Sequence, residues 1–229
     1  MPVSKRLMSI AGMIRRGATV ADIGTDHAYL PVFLVNSGIS PKAFACDIGD
    51  GPLENARLNI EKNNVKNVIL RKGDGLNAVN PNEADTFVIA GMGGDLIARI
   101  LDSSPWVKSP RYELVLQPMT AVEDLREYLL KSGFNIVLER AVTSQNRTYT
   151  VMKVQFDGIE RQCDALFYYV GRLSENLGEA EIAYIKRKRR IIFDLANDIK
   201  HIADKKEMYA QLCEALQGID RILGICNGN

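Results

Sequence analysis

The stretch "VADIGTDHAYL", residues 20–30, begins as a buried strand and then breaks its own pattern. Two aspartates, a glycine and one of the chain's two histidines fall within six residues, ahead of a helix-like run. Polar chemistry at the tip of a strand belongs to the carboxyl edge of a parallel sheet, where open α/β folds place their ligands.

Working outward, short runs rich in Val, Ile and Phe alternate with helical patterns over the first two-thirds of the chain, the pattern of βαβ units. The spacing predicts strands over residues 19–23, 43–47, 68–72, 86–90 and 114–117, and helices over 29–37, 52–63, 95–101 and 122–131. Residues 135–139 and 148–156 flank Thr143-Ser144-Gln145-Asn146, a polar turn cluster that predicts an antiparallel hairpin. The fold class is therefore α/β, a Rossmann-like parallel sheet with an antiparallel edge, and right-handed crossovers put helices on both faces.

Composition narrows the setting. The 229 residues, 46% hydrophobic and 25% charged, suit one α/β domain with a smaller appendage. The first residues form no apolar h-region, and no run approaches the ~20 apolar residues of a membrane span, so a cytoplasmic monomer is expected. Cys46, Cys163, Cys213 and Cys226 lie far apart without a C-x-x-C, and His27 and His201 are too distant for a histidine cluster. Neither disulfides nor a metal is expected. A net charge of +1 means that any nucleic-acid partner must be held by local patches.

Acidic groups converge on the strand ends. The first strand gives Asp22 and Gly24-Thr25-Asp26-His27, the second Asp47-Ile48, and the third Gly73-Asp74-Gly75. A carboxylate after the second strand can accept from both ribose hydroxyls, and Asp74 is placed to meet an adenine amino group. Taken singly, these aspartates are also ordinary caps and turn residues; three at successive strand ends point to a ligand. Gly24 stands alone where a dinucleotide site carries G-x-G-x-x-G, so a pyrophosphate is not catered for and an NAD-dependent oxidoreductase is disfavoured. A nucleoside cofactor without a diphosphate fits, and S-adenosylmethionine is the common one. The fourth strand ends in Ala90-Gly91-Met92-Gly93-Gly94-Asp95, which reads as a backbone that approaches a ligand closely, with Asp95 capping the next helix. Gln117-Pro118-Met119 ends the fifth.

These stretches resemble the bacterial tRNA (adenine-22-N1)-methyltransferases, the TrmK family of class I S-adenosylmethionine-dependent enzymes. The resemblance rests on "SKRL" (4–7), "ADIGTDHAYLP" (21–31), "DGPLENA" (50–56), "GDGL" (73–76), "IAGMGGDLIARIL" (89–101), "LVLQP" (114–118) and "LREYLLKSGF" (125–134), in order over about the first 155 residues. Asp47 stands where relatives often have Glu, and Met119 where they often have Asn. The family implies methylation of N1 of an adenine in the tRNA D-arm region by a domain over residues 1–157, followed by a helical, coiled-coil-like, tRNA-binding domain over 158–229.

On that reading Asp22, Gly24, Asp26, His27, Asp47, Ile48, Asp74, Gly75, Gly91, Met92 and Gly93 contact the cofactor. Asp26, His27, Tyr29 and Gln117 are the catalytic candidates. His27 and Asp26 face the cofactor's methionine end or the adenine amino group; Gln117 reads the adenine edge; Tyr29 either stacks beside the methyl pocket or is a helix-surface aromatic. Asp26 or Asp95 stabilises the cationic product. Arg6, with Tyr29, contacts RNA near the site. Two other readings stay open: a methyltransferase of another substrate, or a non-catalytic cofactor-sensing module that binds a protein partner.

The C-terminal region carries 3-4 spacings at Ile192, Leu195, Ile199 and Ile202 and again, out of phase, at Tyr209, Leu212, Leu216, Ile219 and Leu223. This predicts a helical hairpin turning near Ala203, with Asp204-Lys205-Lys206-Glu207 as a capping box. Ahead of it Lys186-Arg187-Lys188-Arg189-Arg190 surrounds the helix with charge, which keeps this turn out of a core. The run, with Lys186, Arg187, Arg189 and Arg190 as tRNA contacts, reads either as a phosphate-binding patch or as a solvated face.

Overall fold

The computed structural model describes residues 3–225; Met1, Pro2 and residues 226–229, Cys226 among them, lie outside the described residues. Helix α1 (Lys5–Gly12) precedes β1 (Val20–Ile23), α2 (Tyr29–Asn36), β2 (Ala43–Asp47), α3 (Asp50–Lys62), β3 (Val68–Lys72), β4 (Thr86–Gly93), α4 (Gly94–Asp102), β5 (Glu113–Thr120), α5 (Val122–Lys131), β6 (Phe134–Ser144) and β7 (Arg147–Phe156). Three helices follow: α6 (Ala165–Val170), α7 (Glu179–Ile199) and α8 (Lys206–Leu223). The strands form one seven-stranded sheet in the order β3-β2-β1-β4-β5-β7-β6, so the strand order reverses between β1 and β4. That is the Rossmann-like plan, with the ligand crevice expected at the reversal.

Strands covered by helices on both faces must be apolar on both sides, and the central strands are. Phe87, Ile89, Leu114 and Leu116 pack against Ile97, Leu101, Leu125 and Leu129 of α4 and α5. Val20, Val88 and Val115 point the other way, against Ile10, Leu30 and Leu34 of α1 and α2. Helix α1 is absent from the sequence-based expectation; Ser4 caps it by accepting from the Leu7 N–H at 3.3 Å.

The antiparallel hairpin lies at one edge of the sheet, as expected, with β6 outermost. The hairpin turn at Gln145-Asn146, both at positive φ (50° and 59°), is the two-residue geometry that matches strand twist. It folds β7 back between β5 and β6, so the reversed strand is internal and β6 forms the edge. Burial explains the insertion: Met152 and Val154, fully buried, pair with Leu116 and Leu114. The glycine run differs from expectation. It forms no loose turn but extends β4 to Gly93, with two register shifts against β5. Ala90 pairs with Gln117, Met92 with Pro118 and Gly93 with Thr120, leaving Gly91 as the extra residue on β4 and Met119 as the extra residue on β5. Paired bulges of this kind re-aim residues at a strand end.

Helices α6 to α8 bury a third core around Tyr184, Ile192, Ile199, Leu212 and Ile219. Helices α7 and α8 form an antiparallel hairpin, with Arg189 Nε 2.5 Å from Asp220 Oδ1. Ile202, assigned by its spacing to the seam, lies past the end of α7 and is exposed. The expected capping box does not form: Asp204 lies in a short 3-10 turn, and α8 starts at Lys206 with Lys205 at the N-cap and no side-chain cap. The basic run is not wholly solvent-facing either. Lys188 is buried against Glu123 of α5, and Arg189 is held by Asp220. Charge at every 100° did not keep the turn out of a core because partner carboxylates meet two of the five cations.

A buried ion pair joins these helices to the sheet. Arg126 of α5 and Glu139 of β6 are both fully buried, 2.7 Å apart. Glu139 Oε1 also accepts from the Thr150 hydroxyl at 2.6 Å, and its Oε2 from the Arg172 N–H at 3.0 Å. Arg126 donates to the Tyr168 carbonyl at 2.6 Å. Gly171, at φ 61°, leaves the room: a Cβ there would lie 2.0 Å from Glu139 Oε2. Removing one partner of such a pair strands the other charge in a low-dielectric interior. Arg126→Ala should lower stability by about 3–5 kcal/mol, read as a shifted midpoint in denaturant unfolding; a loss below about 1 kcal/mol would mean that the pair behaves as a surface bridge.

Candidate active site

The carboxyl ends of β1, β2, β4 and β5 form the rim where the polar residues gather. Ile23 pairs with Cys46 and with Ile89, so Gly24, Asp47 and Ala90 follow at one level. A cleft of about 340 Å³ opens there, lined by Arg6 and Leu7 of α1, Asp22, Gly24, Asp26, His27 and Tyr29 from the β1–α2 connection, and Ala90 and Gly91 from β4. It is at the topological switch point between β1 and β4.

The β1–α2 connection is built tightly. The Gly24 and Thr25 N–H groups both donate to the Cys46 carbonyl at 2.8 Å, which locks the turn onto β2. Gly24 has φ 80°, and a Cβ there would lie 2.0 Å from the Met92 methyl. The Thr25 hydroxyl accepts from the Ala28 N–H at 3.2 Å, holding Ala28 in the left-handed region at φ 52° although it carries a Cβ. A non-glycine residue there stores strain that surrounding structure must hold. The result is that Tyr29 starts α2 at the cleft wall. Its ring stacks on His27, centroids 5.0 Å apart, and His27 Nε2 lies 3.2 Å from Asp26 Oδ2. Asn59 of α3 donates to the His27 carbonyl at 2.7 Å.

Asp22 is buried at the cleft floor. Burial pushes its carboxyl up to about 6; the Thr25 hydroxyl and Arg6 pull it back, and Asp47 adds to the rise. Asp47 accepts from the Gly49 N–H at 2.7 Å, which leaves its second oxygen directed by a fixed side chain. Ile48 is exposed, 64% of its surface free, beside it. Asp74 is exposed on the same rim, and Gly75 follows at φ 55°. Asp47, Ile48, Asp74 and Gly75 lie along the β2–β3 side of the rim and do not line the cleft itself; Met92 and Gly93 continue β4 beyond it.

Arg6 and Gln117 are brought together from 111 residues apart. Arg6 donates to Gln117 Oε1 at 2.6 Å, and a Cβ built on Gly91 would lie 3.6 Å from its guanidinium. Gln117 is fully buried, and its amide nitrogen is taken by the Pro118 carbonyl at 2.8 Å and the Met119 sulfur at 3.5 Å. It therefore cannot read a base edge directly; it holds Arg6 at the rim. Asp95 is exposed in the first turn of α4, makes no capping hydrogen bond and does not line the cleft. The Gly93-Gly94 pair serves packing instead: a Cβ on Gly94 would lie 2.1 Å from the Ala121 carbonyl oxygen.

Residues 3–152 match the family model described as a methyltransferase domain. Over 172 residues, 75% of this chain and 72% of the other, the sequence is 36% identical to the tRNA (adenine(22)-N(1))-methyltransferase of Bacillus subtilis strain 168. The chain belongs to the tRNA (adenine(22)-N(1))-methyltransferase family. Among solved structures, the Bacillus subtilis tRNA methyltransferase TrmK is similar over 98% of both chains at TM-score 0.80 and 29% identity. A Streptococcus pneumoniae protein described as a candidate tRNA methyltransferase, in complex with S-adenosyl-L-methionine, is similar over 97% of this chain and 100% of the other at TM-score 0.81 and 29% identity.

Within this methyltransferase family, Thr25, Ala28 and Asn59 are the residues of this site that sequence reasoning passes over. Each acts through a backbone group, and only the hydroxyl three residues before Ala28 leaves a trace in the sequence, as an ST-type turn. Among the described residues no group of three or more His, Cys, Asp or Glu is arranged to hold a metal, and no helix is long and apolar enough to cross a membrane.

The raised Asp22 value fixes a pH response. Unfolded, the group ionises near its usual 3.8; folded, it keeps its proton to about 6. The native state thus holds the extra proton between those values, and stability falls as pH rises through that window and levels off above it. Asp22→Asn should remove this fall, gaining up to about 3 kcal/mol on the wild type between pH 4 and pH 7 in denaturant unfolding. Parallel pH profiles for the two proteins would show that Asp22 ionises normally in the fold.

Proposed function

We propose that this chain transfers the methyl group of S-adenosylmethionine to N1 of an adenine of tRNA, at position 22 in the D-arm region. The single observation that carries the reading is the carboxylate-lined cleft at the β1/β4 switch point in a chain 36% identical to an enzyme of that name. The donor set suits a nucleoside cofactor with a cationic amino-acid end and no diphosphate. Asp47 offers a carboxylate to the ribose diol, Asp74 to the adenine amino group, and exposed Ile48 an apolar surface to the adenine ring. The buried Asp22 and the Asp26–His27 pair face the end that carries the ammonium and carboxylate. When bound, the cofactor supplies a methyl group on a sulfonium.

The chain's residues then have a positioning task. Adenine N1 carries its own lone pair, so no base has to create the nucleophile, and alignment can contribute ~7–11 kcal/mol. N1 is on the pairing edge, so the base must leave its stack, at a cost of a few kcal/mol. Tyr29, stacked on His27 at the cleft wall, offers an aromatic face to offset that cost. Arg6, held by Gln117, faces the RNA. Asp26 lines the cleft where positive charge develops on the base, whereas Asp95 is outside it.

The proposal divides the chain at residues 157/158 into a catalytic domain and a coiled-coil-like tRNA-binding domain. The hairpin of α7 and α8 supports it, with Lys186 and Arg190 exposed and without carboxylate partners among the described residues while Arg189 is spent on Asp220. Incubation with labelled cofactor and unmodified tRNA should give N1-methyladenosine by mass spectrometry of the nucleosides; no product with any tRNA would remove the activity. Asp47→Ala should weaken cofactor binding at least tenfold, the scale of a lost hydrogen-bonded charge, and wild-type affinity in that variant would sink the ribose assignment. Replacing Lys186 and Arg190 together with Ser should reduce the salt dependence of tRNA binding by about 2 in slope.

A further inference from the structure

Beside the catalytic rim, on the other side of β5 from Arg6, lies a second cleft of about 280 Å³. Its origin is in the strand pairing. Strand β7 pairs with β5 from Gln155 to Met152 and no further, while it stays on β6 down to Arg147. Past Leu116, β5 loses β7 and keeps its pairing with β4 through the bulge at Met119, and Pro118 has no N–H to give to either neighbour. A gap opens between Pro118-Met119 and the unpaired edge of β7, roofed by Tyr184 and Arg187 of α7.

Two guanidinium groups border this gap, and they come from elements 40 residues apart. Arg147, at the start of β7, is exposed and has no carboxylate partner among the described residues. Arg187 is likewise exposed; its guanidinium rests over the Tyr184 ring at 5.4 Å, with no carboxylate partner among the described residues. Its neighbours differ: Lys188 and Arg189 are consumed by Glu123 and Asp220. Among the five cations in residues 186–190, Arg187 lines this cleft, next to Pro118 and Met119 at the end of β5. Met119 connects the two sites, since its sulfur contacts the Gln117 amide that holds Arg6. Two planar donors facing one gap match the bidentate geometry of a phosphodiester, and the stems of Tyr149 and Met119 provide an apolar floor for a sugar or base.

We propose that Arg147 and Arg187 together bind a backbone phosphate of the RNA strand next to the nucleotide being methylated, so that the helical hairpin and the β6–β7 hairpin jointly set where the strand enters the site. This rests on the tRNA reading above. The phosphate contact carries no sequence information; it sets the register of the strand, and hence which base reaches the cleft.

The test uses the full chain with Arg147→Ala, Arg187→Ala and the double variant, alongside Arg147→Lys and Arg187→Lys. Both residues are exposed, and thermal unfolding checks that the variants remain folded. Each Ala variant should weaken binding of unmodified tRNA about tenfold and lower the salt slope by about 1, with KM for tRNA raised and cofactor affinity unchanged. The double variant should fall short of the product of the two single losses, because one phosphate is shared, and the Lys variants should recover part of the affinity. Wild-type tRNA affinity in the double variant, while the wild-type chain binds and methylates tRNA, would overturn the cleft and leave the activity standing. Losses that multiply exactly would overturn the shared phosphate. A wild-type chain that bound no tRNA would remove the reading on which the cleft rests, and the cleft with it.

Discussion

The buried Arg126–Glu139 pair is the constraint on which the arrangement of the molecule depends. Four donors satisfy the two carboxylate oxygens: two from Arg126, one from Thr150 and one from the Arg172 backbone. They come from α5, from β7 and from the segment leading into α7. An apolar contact of equal area would hold these pieces together at least as well, since desolvating two charges costs several kcal/mol per ion. What it would lack is direction. A leucine cluster accepts many rotations of one helix over another, whereas a carboxylate held by four donors from three segments accepts one. A second carboxylate acts in the same way: Glu181, near the start of α7, accepts from the Ala141 N–H at 2.9 Å and the Gly178 N–H at 3.2 Å. The base of α7 is therefore pinned to β6 at two points, and with it the height of Arg187 above the strand ends.

The same logic runs through the catalytic rim at smaller scale. Side chains bonded to other parts of the protein decide where their neighbours point. Thr25 holds Ala28 in a strained turn, Ala28 delivers Tyr29 to the cleft wall, and Gln117 delivers Arg6. The two bulges at Gly91 and Met119 lie on adjacent strands and turn one toward Arg6 and the other toward the β7 gap. A regular parallel ladder would have closed both openings. The glycine run thus has its effect through pairing, since it lets β4 change register twice without steric cost, and not through flexibility.

How far the sequence discloses this depends on whether the relevant physics is local. Strand ends are local, because hydrophobic period and polar interruption lie within a few residues, so β2 and β3 match the expected boundaries residue for residue and Asp22, Asp26, His27 and Tyr29 meet in one cleft. The hairpin turn is local too, and Gln145-Asn146 takes the conformation that its composition favours. Ion pairs between distant residues leave no local trace. Lys188 looks like its neighbours until Glu123, 65 positions away, is placed beside it, and Gln117 looks like a free recognition group until Arg6 is. The internal position of β7 was hidden for a related reason: a hairpin pattern shows that two strands pair, not which of them the sheet accepts.

With a net charge of +1, the chain cannot rely on a long-range field to gather a polyanion. Its attraction for RNA must come from where cations are left over after folding has used the rest. The basic run of α7 divides in this way. Folding takes Lys188 and Arg189, and the remaining three, Lys186, Arg187 and Arg190, are released to solvent in positions fixed by the two that are buried. A solvated face would have no need of buried members, and a core helix no need of exposed ones. The mixed use means that the helix is registered against the sheet by the same stretch that presents its charge, so a shift of one residue along α7 would both strand Lys188 and carry Arg187 away from Met119.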